Sequence, residues 1–308
     1  MRAARLQQWI FGLIVVTFNL TSPRDLSAES AEILRQLDSL MGHESVSSDY
    51  VRLRIQLLKA QTDAYNKLSR ATPAADVTAP SCQPCFNARD VDLVIARTLL
   101  GRITTITRNH GRGANNLTPL CDAVDAQSNL LPQLVQEVVS AENNSVASAV
   151  AKQTGVNLQT LTFVTRVLTA PFATRAMRLS MQQDLPEPSD SGRCPSCGCE
   201  PGLSLLLRED GKRILACNLC ACLWRFPRAQ CPFCAKSDAL NVFRFDESTP
   251  HGMAACDACL SYIKTVDTRL LPEDRAVFPL VETTAAMYLD MIAEHEGYAQ
   301  ASTYAALR

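Results

Sequence analysis

Cysteine spacing is the feature that most constrains the fold of this chain of 308 residues. Ten cysteines lie between Cys194 and Cys259, and eight of them form four C-x-x-C pairs. The pairs are Cys194/Cys197, Cys217/Cys220, Cys231/Cys234 and Cys256/Cys259. One C-x-x-C turn directs two sulfurs to a point, and a second turn completes a tetrahedral tetrathiolate site that suits Zn²⁺ or a single iron. The pattern therefore predicts two metal ions per chain, with these eight cysteines as ligands.

The distances between the pairs indicate which of them combine. Nineteen residues separate Cys197 from Cys217, and twenty-one separate Cys234 from Cys256, as in tandem zinc-ribbon or rubredoxin-like modules. A hairpin signal, Glu-Asp-Gly at 209–211, favours sequential pairing. A cross-braced arrangement, which joins the first pair to the third and the second to the fourth, remains an alternative. Four protein thiolates close a coordination shell, which favours a structural or partner-binding role over metal catalysis.

Composition indicates a folded protein without a strong electrostatic preference. Its hydrophobic content of 47% argues against disorder, and 30 basic against 31 acidic residues give a net charge of −1. Between Cys194 and Arg269 there are nine basic and eight acidic residues. Each tetrathiolate that holds a divalent metal adds about two negative charges to this region. Because a phosphate-binding face is clearly basic, we expect no nucleic-acid partner.

An apolar segment from Trp9 to Leu20, behind Arg2 and Arg5, is similar to the core of a signal peptide. It is too short to span a membrane, and a bulky leucine at position 26 makes a poor cleavage site. An over-extended start or an ordinary N-terminal helix is favoured, because export to an oxidising compartment would endanger eight thiolates. We therefore expect a cytoplasmic protein without stable membrane insertion.

Hydrophobic periodicity divides the chain into a helical and a β-rich part. Apolar residues recur at helical spacing from 28 to 181, whereas short β-like runs flank the cysteine pairs. The predicted fold class is α+β, with an all-helical N-terminal domain, two tandem rubredoxin-like or zinc-ribbon modules and a C-terminal helix. The predicted boundaries are 1–27 for the apolar segment, 28–181 for the helical domain, 182–193 for a linker, 194–230 and 231–277 for the two modules, and 278–308 for the last helix.

Four further cysteines are candidates for chemistry outside the predicted ligands. Cys199 and Cys222 each lie two residues after a pair, which predicts spare thiols around the first site, with small buried residues as the alternative. The pair Cys82/Cys85 is either a redox dithiol or an incidental loop pair. The four histidines form no helical metal signature, and no Walker, Rossmann or serine-nucleophile pattern is present. We therefore predict no catalytic and no nucleotide-binding residue.

The cysteine motifs, taken with their neighbours, resemble a known family. The motifs are C-P-S-C-G at 194–198, C-N-L-C at 217–220 followed by Trp224, C-D-A-C-L-S-Y-I-K at 256–264, and the ending at 289–298. Over about 28–302 the chain resembles the formate dehydrogenase accessory (FdhE-type) proteins. The resemblance implies a cytoplasmic protein whose rubredoxin-like modules bind iron and engage the catalytic subunit of respiratory formate dehydrogenases during maturation. It places the metal on the same eight cysteines.

The sequence thus predicts a non-catalytic maturation factor that binds the catalytic subunit of a formate dehydrogenase and holds two ions of iron or zinc. A zinc-ribbon nucleic-acid-binding protein and a rubredoxin-like electron carrier are the alternatives. Simple electron transfer does not need a large helical domain, which favours the maturation factor. Tyr262 and Lys264 are predicted to face the partner. The alternative is that Tyr262 packs over the second site and that Lys264 is solvated.

Overall fold

The computed structural model describes residues 26–71, 86–111, 116–140, 145–180, 192–244 and 246–300. The predicted apolar N-terminal segment, the Cys82/Cys85 pair and nearly all of the predicted linker lie outside these ranges. Within them, no helix combines the length and the apolarity needed to cross a lipid bilayer. The predicted domain boundaries stay predictions.

The N-terminal part is helical, as its periodicity predicts. Its elements are α1 (Ser27–Ser39), α2 (Ser48–Ala71), a 3-10 turn (Ala88–Asp90), α3 (Leu93–His110), α4 (Thr118–Ala126), α5 (Leu130–Ser140), α6 (Ser145–Thr154) and α7 (Leu158–Ser180). The Asp92 and Asn157 side chains accept hydrogen bonds from backbone N–H groups in the first turns of α3 and α7. Gly155, at φ +71°, lies just past the end of α6. Helix α7 runs through Pro171, where the sequence predicts a kink.

One large apolar core joins these helices to the first cysteine group. Residues from four helices are at most 2% exposed: Leu57, Ile103, Val135 and Leu161. The same cluster contains Cys194, Cys197, Cys217, Cys220 and Trp224. Burial of apolar surface stabilises a fold by roughly 25 cal/mol per Å². The first cysteine group is therefore a component of the main core.

The cysteine-rich part forms one sheet rather than two separate ribbons. Its strands are β1 (Pro201–Leu206), β2 (Arg213–Cys217), β3 (Leu223–Arg225), β4 (Leu240–Arg244), β5 (His251–Cys256), β6 (Ser261–Asp267) and β7 (Ala299–Gln300). The strand order is β3-β2-β1-β6-β5-β4, and β7 pairs with β6. Two antiparallel modules meet where β1 runs parallel to β6, with Leu203 opposite Lys264. The predicted fold class is confirmed, with the two modules joined edge to edge.

The predicted C-terminal helix is present as two consecutive helices, α8 (Pro279–Ala285) and α9 (Tyr288–His295). The helical path is interrupted at Ala286, which has φ −94° and ψ 23°. Gly297, at φ +83°, then turns the chain into β7. Apolar residues of α8 and of the segment before it pack against α1: Ala276, Phe278 and Val281 with Ile33 and Leu37. The last helices therefore pack on the first one.

Candidate metal centres

The structure gathers the eight predicted ligand sulfurs into two groups. The first centre comprises Cys194, Cys197, Cys217 and Cys220, and the second comprises Cys231, Cys234, Cys256 and Cys259; in each, all sulfurs lie within 4.8 Å of one another. The nearest contacts across the pairs are 3.4 and 3.6 Å in the first centre and 3.6 and 3.8 Å in the second. A tetrahedron with metal–sulfur bonds of about 2.3 Å has edges of about 3.8 Å. The sulfurs thus fit a zinc or iron ion, in sequential rather than cross-braced pairs.

In each C-x-x-C turn, the backbone of the first cysteine pairs with the backbone of the residue five positions later. In three turns, the N–H of the first cysteine donates to the carbonyl five residues later at 2.8 Å: Cys194 to Cys199, Cys217 to Cys222, and Cys231 to Lys236. In the fourth, Cys256 pairs with Ser261 in the antiparallel ladder. The N–H groups of Leu219 and Phe233 approach the sulfurs of Cys217 and Cys231 at 3.4 Å, which favours the thiolate form.

The residue after the second cysteine of every pair lies in the left-handed region. These residues are Gly198 (φ +76°), Ala221 (+61°), Ala235 (+62°) and Leu260 (+52°). Glycine adopts this conformation freely, whereas a residue with a Cβ is strained there by about 1–2 kcal/mol. Three of the four turns carry this strain, at Ala221, Ala235 and Leu260. The left-handed residue is part of the turn that directs both sulfurs to one point.

The first centre lies beneath the end of helix α5. All four of its cysteines are at most 3% exposed. The Cys199 thiol donates to the Val138 carbonyl at 3.2 Å, in the last turn of α5, where carbonyls lack a partner within the helix. Trp224, which is 0% exposed, belongs to the same core cluster. The helical part of the protein therefore shields this centre from solvent.

The second centre is more open. Cys231 and Cys256 are buried, but Cys234 and Cys259 are partly exposed. The surrounding surface carries exposed apolar side chains, with Val242 at 64% exposure and Leu260 at 46%. Strand β4, which lies beside this centre, is an edge strand of the described sheet. Solvent therefore has access to the second centre.

Burial opposes ionisation of the thiols at both centres. It raises the pKa of Cys217 and Cys220 in the first centre and of Cys231 in the second, because a buried thiolate loses its hydration. A bound cation has the opposite effect, since thiolate is the form that binds metal. Metal binding therefore releases protons here, and the affinity for metal increases with pH.

The two spare thiols, Cys199 and Cys222, each contact a backbone carbonyl. Cys199 caps helix α5, and the Cys222 thiol contacts the Leu223 carbonyl at 3.7 Å. Both residues are about 1% exposed, and their carbonyls close C-x-x-C turns, a role that Lys236 fills at the third turn. Neither belongs to the two groups of four sulfurs. They agree with the alternative of small buried residues beside a metal.

The predicted partner-facing role of Tyr262 and Lys264 is wrong. Tyr262 is 5% exposed, and its hydroxyl donates to the Asp290 carboxylate at 2.6 Å. Lys264, also 5% exposed, binds Asp290 at 2.7 Å and the Thr283 carbonyl at 3.0 Å. The alternative of a solvated Lys264 is wrong as well. The two side chains attach the sheet to helices α8 and α9.

A buried arginine links the two centres. Arg213 lies on β2, four residues before Cys217, and is 4% exposed. Its guanidinium donates to the Gln230 carbonyl at 2.8 Å, immediately before Cys231, and to the Ser204 hydroxyl at 2.9 Å. Burial lowers its pKa to about 10, and the Cys231 thiolate acts in the opposite direction. Among the described residues no carboxylate pairs with Arg213, and the Cys231 thiolate is the negative charge that acts on it.

The curated proteins to which this chain is similar carry the same name, FdhE or FdhE homolog. No family model matches the chain. It is 32% identical over 120 residues to the Protein FdhE homolog of Stutzerimonas stutzeri, covering 37% of this chain and 38% of the relative. Identity is 26% over 193 residues to the homolog of Haemophilus influenzae strain PittEE (60% and 63%), and 34% over 112 residues to Protein FdhE of Escherichia coli O127:H6 (35% of each). The matched parts thus span between about a third and 63% of these relatives.

The fold also has a solved counterpart. The crystal structure of the FdhE protein from Pseudomonas aeruginosa superposes with a TM-score of 0.57 and 19% identity, over 91% of this chain and 94% of the other. At this identity the likeness concerns the fold.

Proposed function

The chain belongs to the FdhE-type family, and from this premise we propose that it is a non-catalytic accessory factor for the maturation of a formate dehydrogenase. In this proposal it binds the catalytic subunit of that enzyme in the cytoplasm and assists its assembly or activation. A reducing compartment suits the eight thiolates. The nucleic-acid-binding alternative has less support, because the charges of the cysteine-rich part nearly cancel.

One observation carries this proposal: both centres offer four sulfurs and are built into a sheet that packs on a helical part. A tetrathiolate ion has no free coordination position, so such a centre supplies shape and charge rather than a place for substrate. The structure is therefore suited to presenting a fixed surface to another protein. We assign Cys194, Cys197, Cys217, Cys220, Cys231, Cys234, Cys256 and Cys259 as the ligands of two ions.

The test is association with the catalytic subunit of formate dehydrogenase from the same source, together with the activity of that enzyme in cells lacking this chain. We expect the chain to co-purify with the subunit and to restore formate oxidation. Cys234→Ser serves as the variant and Cys121→Ser as its control, since Cys121 is a half-buried cysteine on α4 outside both centres. Full enzyme activity without the chain, and no co-purification, would reject the proposal.

A redox role within maturation is the second candidate, and the partial exposure of Cys234 and Cys259 favours it. A single iron held by four thiolates supplies one-electron chemistry, and transfer to a partner requires an accessible edge. The metal content and visible spectrum of protein purified without oxygen test this role. Two irons with thiolate-to-iron bands support it, whereas two zincs and no colour leave partner binding as the function.

A further inference from the structure

A cleft of about 370 Å³ lies between the helical part and the sheet, and Cys217 of the first centre forms part of its lining. One wall comes from helices α1, α2 and α7, and the other from β1, β6 and helix α8. The middle residues of two C-x-x-C turns, Leu219 and Phe233, also line it, one from each centre. Its volume lies within the range of small-molecule sites, about 300–1,000 Å³. An occupant would therefore contact the helices and the backbone of both metal centres.

The helical wall of the cleft contains the guanidinium of Arg54. The Arg54 guanidinium lies 5.9 Å from the centre of the Tyr50 ring, and its Nε is buried without a hydrogen-bond acceptor. No carboxylate of the described residues forms an ion pair with it. Arg52, two residues earlier, instead pairs with Asp49 at 3.3 Å and is 53% exposed. A buried N–H group without an acceptor costs about 1–3 kcal/mol, which an acceptor on a ligand would recover.

The opposite wall adds a second cation close to the first. Lys264 lies in the cleft lining, and Asp290 is its ion-pair partner. Burial lowers the pKa of Lys264 and the nearby Arg54 charge contributes in the same direction, whereas Asp290 opposes both. Asp290 also accepts the Tyr262 hydroxyl. Asp290 thus pairs with Lys264, Glu29 pairs with Arg178, and Glu200 is a third carboxylate in the lining, so the formal charges of the cleft balance. Among the described residues Arg54 is the cation of the lining that forms no ion pair. The rest of this region is largely apolar, with Leu58, Ile263 and Leu280.

We propose that this cleft is a binding site for a small organic anion, whose carboxylate or phosphate head group binds Arg54 and whose apolar body packs against both walls. Arg54 supplies a forked donor that matches such head groups, and the adjacent Tyr50 ring holds the guanidinium in place. The second ion pair in the cleft, Arg178 with Glu29, is internally neutral and sets one boundary of the site. Because the cleft touches a turn of each centre, bound anion also supports the positions of the two centres.

The experiment is a fluorescence titration of the metal-loaded full chain with 8-anilinonaphthalene-1-sulfonate, an aromatic molecule with one anionic group. We expect saturable binding of one molecule per chain, counted by native mass spectrometry. Arg54→Gln removes the charge, and we expect binding roughly tenfold weaker or more. Octanoate and phenyl phosphate serve as competitors that distinguish a carboxylate from a phosphate head group. Displacement by either one supports the site.

Two further variants serve as a matched control and as a block of the cleft. Arg52→Gln is the matched control on the same helix, and we expect wild-type affinity because its side chain points to solvent. Thr174→Phe introduces a ring into the cleft from α7, and we expect it to abolish binding with unchanged circular dichroism. Equal affinities of the Arg54→Gln variant and the wild type would overturn the proposal, as would the absence of one-to-one binding or displacement by neither competitor. These outcomes do not depend on any formate dehydrogenase.

Discussion

Both centres use the same closed C-x-x-C turns, yet the cysteines of the first are at most 3% exposed, whereas two cysteines of the second are partly exposed. The first shares its core cluster with the helices, and the second lies beside the edge strand β4. The difference shows that the C-x-x-C motif determines the coordination shell, whereas the position of the motif in the fold determines which property of the protein depends on the metal. At the first centre we expect the metal to control stability, and at the second to control local structure and accessibility.

Removal of one ligand from each centre is the strongest test of this contrast. We expect Cys220→Ser to abolish cooperative folding, because structural metal binding contributes on the order of 10 kcal/mol or more and this centre lies in the main core. We expect Cys234→Ser to lose one metal equivalent and to keep the helical core. Thermal unfolding by circular dichroism and elemental analysis measure both. A folded Cys220→Ser protein that retains two ions would contradict the first assignment.

Metal extraction gives the next largest difference. When the zinc-loaded protein is treated with 4-(2-pyridylazo)resorcinol, we expect one equivalent to leave before the other, since chelator reaches Cys234 and Cys259 without opening the core. The Cys234→Ser variant should lack the fast phase. We also expect faster release at lower pH, because protons compete for thiols whose pKa burial raises, such as Cys220 and Cys231. Release of both ions in one phase would mean that the centres open together.

Arg213 tests how strongly the two centres are coupled. We expect Arg213→Met to lower the free energy of unfolding by about 2–3 kcal/mol, since it removes charge-assisted hydrogen bonds to Gln230 and Ser204. Fast-phase zinc release should accelerate, while the slow phase changes less. Arg213→Lys keeps the positive charge but not the forked geometry of the guanidinium. It therefore separates the contribution of the charge from that of the hydrogen-bond geometry. If both variants match the wild type in urea unfolding, Arg213 does not support the second centre.

The left-handed turn residues give the smallest effects, and they apply to both centres. We expect Ala221→Gly at the first centre and Leu260→Gly at the second to stabilise the folded protein by about 1 kcal/mol each. Gly198→Ala is the reverse control and should destabilise the protein by a similar amount, because it introduces the backbone strain of the left-handed region. Its added Cβ would meet only the Val139 carbonyl, at 3.7 Å, so no steric clash adds to that strain. Denaturant unfolding measures all three. Destabilisation by both glycines would show that the side chains contribute more than the turn strain.

Sequence spacing predicted the grouping of the cysteines because a tetrahedral site imposes a local rule on the chain. Hairpin chemistry around 209–211 predicted the pairing of β1 with β2 for the same reason. The pairing of β1 with β6 had no local signal, because its partners Leu203 and Lys264 lie in different modules. The helical character of residues 28–181 followed from periodicity, although packing determines which helix covers the first centre.

The side chains that sequence reasoning missed are those whose environment comes from distant segments. Arg213 stands at a strand end where an arginine is ordinarily solvated, and its hydrogen bonds to Ser204 and Gln230 explain its burial. Lys264 and Tyr262 are predicted to face a partner, but the environment of both is determined by Asp290, more than twenty residues away. An arginine at the first position of an apolar strand in a cysteine module is the one signal that would have drawn attention to Arg213.

The contact between the first and last helices has a consequence for biosynthesis. Gln36 of α1 donates to the Ala276 carbonyl at 3.1 Å, across 240 residues of chain. At a synthesis rate of about 5–20 residues per second, Ala276 is added roughly 12 to 48 seconds after Gln36. Until then Ile33 and Leu37 have their neighbours Val46 and Val51 from the same apolar cluster, but not Phe278 and Val281. The apolar cluster that joins the two ends of the described chain is therefore completed only after nearly all of that chain has been synthesised.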